Sequence, residues 1–137
     1  MLGFNKEVNY DTLKQAASHY RGENGYCSVI AIAIATGCKF GKAKSMMNKC
    51  GRESGKGAYL EQINNALTMG NKGAVMYPMA GRRGFTLMTA TRNLPKQGTF
   101  LVYTRGHVTC IRDGILEDWS AQSRKSVLSV FKVHSLS

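Results

Sequence analysis

The chain has 137 residues, 43% of them hydrophobic and 20% charged. That length suits one domain, 1–137, which hides roughly two thirds of its unfolded surface and needs neither metal nor disulfide to hold a core. The balance excludes a disordered chain, and only two prolines exclude a proline-rich linker. Nineteen Lys and Arg against eight Asp and Glu give a net charge of +11. So basic a surface is attracted to nucleic acid, anionic membrane or acidic protein, and says nothing of fold.

In chain order, 11–20 reads as a short amphipathic helix with Leu13, Ala16, Ala17 and Tyr20 on one face. A turn-forming run follows at 21–26. The segment 27–36 is apolar on nearly every side, so periodicity does not separate a buried helix from a buried strand. Its alternate alanines favour a centrally packed helix, stopped by Gly37. At 27–38 this apolar run is too short to cross a bilayer, which takes about 20 residues. The stretch before Cys38 reads as folded helix, not as a lipidation site, and the N-terminal residues lack the layout of a secretory signal. Four cysteines without an export signal are expected as reduced thiols in a cytoplasm.

Two more amphipathic helices are expected at 41–49 and 58–69, with a glycine-rich loop between them. The stretch 70–84 reads as irregular, and 86–93 as a short helix ended by Pro95. From Gly98 the period changes to two, giving four strands at 99–103, 107–111, 115–119 and 127–131. Asp113-Gly114 is a hairpin turn between the second and third of these. Helices first and antiparallel strands second spell an α+β fold.

Cys27 stands where a polar turn becomes an apolar helix. Free N–H groups and the macrodipole at a helix N-terminus favour thiolate over thiol. A small buried hydrophobe that happens to begin a helix is the bland alternative. His107 opens a strand, where it is exposed enough to titrate. Pairing about the turn at 113–114 brings residue 107 near 120 and leaves Asp118 diagonally adjacent, so His107 and Asp118 can meet. A carboxylate orienting an imidazole that deprotonates a thiol is the logic of a nucleophilic triad. Taken singly, the two are as well read as a surface histidine and a solvated acid.

Three segments together carry a resemblance: 24–37 (NGYCSVIAIAIATG), 94–102 (LPKQGTFLV) and 106–119 (GHVTCIRDGILEDW). They resemble a minimal papain-like cysteine peptidase domain, closest to small bacterial and bacteriophage members. The likeness covers under half the chain, and the Gly-His…Asp-Gly…Asp-Trp segment is its most specific part. It implies a papain-like fold, with N-terminal helices packed on a C-terminal antiparallel sheet of about four strands. Cys27 would be the nucleophile, His107 the general base and then acid, and Asp118 the residue orienting the imidazole. Papain-like sites also use a glutamine upstream of the cysteine as an oxyanion donor. Here Arg21 takes its place six residues before Cys27, and Asn24 is the substitute donor the sequence offers. The resemblance further implies a cysteine hydrolase without cofactor, acting on a protein or peptide in a host cytoplasm, with deamidation and transglutamination as related chemistries.

His107 and Cys110 share the spacing of half a zinc site, but residues three apart on a strand point to opposite faces, so no metal is expected. Cys110, Cys38 and Cys50 read as core. Lys39, Lys42, Lys44, Lys49, Arg52 and Lys56 cluster about the 41–49 helix, with Glu53 the only acid and Phe40 the only aromatic among them. Arg82-Arg83 and Arg124-Lys125 add two basic pairs. Single-strand binders interleave aromatics for stacking, so an acidic protein partner, or no specific use beyond solubility, suits this cluster better than nucleic acid. A non-enzymatic basic protein that keeps the fold and sequesters such a partner is the alternative function.

Overall fold

The computed structural model describes residues 8–20, 26–53, 58, 60–78, 85–118 and 123–136. Over these the fold is α+β, with five helices and a five-stranded antiparallel sheet. The helices are α1 (Tyr10–Ala17), α2 (Cys27–Thr36), α3 (Phe40–Lys49), α4 (Leu60–Met69) and α5 (Leu87–Asn93). The strands are β1 (Lys72–Tyr77), β2 (Thr99–Thr104), β3 (His107–Arg112), β4 (Ile115–Glu117) and β5 (Val127–Ser135). Sheet order is β1-β5-β2-β3-β4.

Two apolar layers flank the sheet. On one face α1 to α4 close over Leu101, Val108, Cys110 and Val133. On the other, α5 and Phe85 cover Phe100, Val102, Ile111 and Val130. The period-two alternation of β2 and β3 serves both layers, as in a sheet covered on both faces. α2 is the centre of the first layer and packs along β3, with every residue from Ser28 to Ala35 buried. An unbroken apolar helix is stable only where it is surrounded. It ends at Gly37, whose φ of 75° is the left-handed conformation glycine adopts freely. α1 begins with a capping box, Asn9 Oδ1 accepting from the Thr12 N–H at 3.0 Å and Thr12 Oγ1 from the Asn9 N–H at 3.3 Å.

Three expectations need correction. The sheet has five strands, not about four, because 70–84 contains β1, expected as irregular. β1 carries Gly73 where alternation is looked for, and its partner β5 lies some sixty residues on, outside any local window. A side chain at Gly73 would stand 2.8 Å from the His134 ring, so the glycine permits the pairing. Second, the helices do not all precede the sheet or share one face, since α5 lies on the opposite face from the rest. Third, β4 is described only as Ile115–Glu117, short of the expected 115–119, and Asp118 forms a bend after it.

Among the cysteines, Cys110 is fully buried, whereas Cys38 and Cys50 are half-buried at the core's edge. Within the described residues no helix is long and apolar enough to cross a membrane.

Candidate active site

α2 begins at Cys27, and no side chain among the described residues caps that end. The thiol therefore meets the positive end of the helix. β3 begins at His107, directly beneath. Pairing of β3 with β4 runs Cys110 to Glu117, Ile111 to Leu116 and Arg112 to Ile115, closed by the two-residue Asp113-Gly114 turn. Both turn residues have positive φ, 52° and 81°, the type I′ geometry that matches strand twist. That register carries Asp118 to the His107 ring, where Nε2 and Oδ2 lie 2.5 Å apart.

The Cys27 thiol stands beside the same ring and near the backbone N–H of Val108, and both favour its ionised form. With Nε2 engaged by Asp118, Nδ1 is the nitrogen left to face the sulfur. The structure thus brings together all three residues singled out in the sequence. Asn24 and Arg21 lie outside the described residues, as do Trp119, Lys56 and the Arg82-Arg83 pair.

Electrostatics follow from these contacts. Burial opposes ionisation of the Cys27 thiol, but the bonds from His107 and Val108 and the histidine's charge outweigh it, so the thiol lies below its usual value. Cys50 and Cys110 go the other way, pushed up by burial. His107 is pushed up to about 9, first by its bond to Asp118 and then by that to Cys27, against the effect of burial. A lowered thiol beside a raised imidazole favours the thiolate–imidazolium pair.

The pair opens on a cavity of about 720 Å³, bounded by Ser28 of α2, Ile63 of α4 and Tyr103 and Val108 of the sheet. Arg52 and Glu53, of opposite sign, line it too. Arg52, expected among exposed cations, is only 3% exposed, because the chain turns inward after α3. Phe40 is also buried, against Tyr20 and Tyr26, and is unavailable for stacking. Lys39, Lys42 and Lys49 are exposed as expected.

Sequence reasoning passed over the residues around the carboxylate. Glu117 and Arg112 form a buried ion pair at 3.0 Å, and the other Glu117 oxygen accepts from the Tyr10 N–H at 2.9 Å. Burial, helped by the charge of Asp118, pushes the Tyr10 phenol up to about 12. Inward charges at the end of a three-residue strand leave no periodic signal; only opposite signs flanking the Asp-Gly turn could have suggested the pair.

No family model, curated protein or solved structure matches the chain.

Proposed function

We propose that this chain is a small papain-like cysteine hydrolase that performs acyl transfer on an amide or thioester of a protein or peptide. One observation carries the reading: a thiol at a helix start and an imidazole beside it line one cavity, and a carboxylate is hydrogen-bonded to that imidazole.

In this reading the Cys27 thiolate attacks the substrate carbonyl carbon and the π pair moves to oxygen. The N–H groups that open α2 face that oxyanion. Collapse of the intermediate expels the leaving amine, which takes its proton from the His107 imidazolium. An acyl-thioester on Cys27 remains. The now neutral imidazole removes a proton from water, hydroxide adds to the thioester carbonyl, and the released thiolate regains its imidazolium partner. Asp118 keeps the ring turned toward the sulfur and stabilises its charge throughout.

A peptide mixture incubated with wild type, Cys27→Ala and His107→Ala, and read by mass spectrometry, tests this. New termini or deamidated glutamines should appear with wild type, be absent with Cys27→Ala and fall about 10²–10⁴-fold with His107→Ala. Equal products from wild type and Cys27→Ala would overturn it.

A further inference from the structure

Asp118 holds the His107 ring from just beyond the end of a short strand. Among the described residues β4 is three long, lies at the edge of the sheet and pairs only with β3. Asp118 directly follows Glu117, the last described residue of that ladder. Its side chain is only 7% exposed, beside a cavity of about 460 Å³ lined by Tyr10, Arg112 and Glu117 among others.

The preceding residue is bound at three points. Glu117 Oε1 accepts from the Tyr10 N–H at 2.9 Å, Oε2 from Arg112 Nη2 at 3.0 Å, and its carbonyl oxygen from Thr109 Oγ1 at 3.4 Å. Fixing the Glu117 side chain and carbonyl also fixes the planar peptide unit that leads into Asp118, and so restrains the direction in which its carboxylate leaves the chain. The arrangement is also costly by itself. Buried ion pairs of this kind are often replaceable by apolar residues without loss of stability, so stability alone gives little reason for it.

We infer that Glu117, held by Arg112 and by the first N–H of α1, is a positioning residue that aims Asp118 at His107. This rests on reading Cys27, His107 and Asp118 as a working site. α1, which supplies none of the three site residues, thereby becomes part of the catalytic frame. Its capping box matters for the same reason, since it fixes where the Tyr10 N–H points.

The test uses the position of Tyr10 as the first residue of α1. Proline is well accepted there, and it removes the N–H while leaving the helix able to form. Tyr10→Pro is compared with Tyr10→Ala, which loses the same ring but keeps the N–H. In each protein the His107 ring is titrated by NMR, and the alkylation of Cys27 by iodoacetamide is followed across pH. Tyr10→Ala should stay close to wild type. Tyr10→Pro should show His107 titrating at least about one pH unit lower, toward the ordinary imidazole, with slower Cys27 alkylation in the neutral range. The double variant Glu117→Gln, Arg112→Met removes both buried charges together and should behave like Tyr10→Pro. A merely structural clamp would lower the melting temperature without moving either titration.

Identical titrations in Tyr10→Pro and Tyr10→Ala would overturn the inference and leave the proposed function standing. A wild-type Cys27 that alkylates like an ordinary thiol would overturn both.

Discussion

Asp118 is the residue on which the chemistry of the site turns, since its hydrogen bond is the largest reason that the His107 ring lies near 9. Replacing it with alanine should let the imidazole fall toward its ordinary value of 6.5. The thiolate–imidazolium form exists from the lowered value of Cys27 up to the value of His107. A rate profile should therefore rise through the first and fall through about 9. In Asp118→Ala the alkaline limb moves down and the window narrows; a limb that stays near 9 would contradict the assignment. Stability has the same sign. A ring raised above its unfolded value stabilises the fold fully below pH 6.5, and that contribution is lost as pH rises through about 9. Denaturation of wild type and Asp118→Ala at several pH values should show their difference shrinking across that window. All three site residues are legible in the sequence because local rules place them: a turn before an apolar run for Cys27, and a two-residue hairpin for His107 and Asp118. Glu117 and Arg112 are not legible, because their burial depends on α1, about a hundred residues away in the chain.

At the scale of elements, the hairpin from β3 to β4 does most to build the site. Its turn is over-determined. Asp113 and Gly114 take up positive φ, and Asp113 also clasps the start of β2, its N–H donating to the Gly98 carbonyl at 2.9 Å and its Oδ1 accepting from the Gly98 N–H at 2.8 Å. Gly114→Ala puts a Cβ on a left-handed residue and should cost about 1–2 kcal/mol in denaturant titration. The nearest obstacle to that Cβ is the flexible Lys96 side chain, which can move aside. Register is held by Asp113 and by the buried alternation of β3, so Cys27 should keep its reactivity in this variant. A folded Gly114→Ala protein with an ordinary Cys27 thiol would show instead that the turn alone sets the register. α2 was legible for another reason: its alanines at every second position suit a helix packed on several sides, and Ser28 to Ala35 are indeed buried. β1 was not legible. Its apolar residues Val75 and Met76 are 57% and 70% exposed, and the glycine that admits β5 also erases the strand pattern.

For the whole molecule, composition and period settle the class, α+β, because a helical period in the first part of the chain and a strand period after Gly98 constrain the layers. They do not settle which face each helix covers. α5 is too short to declare its side and goes to the face that the first four helices leave open. Lys39, Lys42 and Lys49 put part of the +11 charge on the outer surface, whereas Arg52 is buried beside Glu53 at the cavity. A basic binding protein would use Lys39, Lys42 and Lys49, and its affinity would fall steeply with salt. A thiol activated by His107 would depend on neither.

The decisive measurement is the alkylation rate of each of the four cysteines with iodoacetamide from pH 4 to pH 10, read peptide by peptide in wild type and in His107→Ala. Cys27 alone should react fast well below pH 8, and His107→Ala should abolish that advantage. A Cys27 that ionises like an ordinary thiol, near pH 9.0, or that ignores the loss of His107, would contradict an activated nucleophile and leave the basic surface as the place to seek a function.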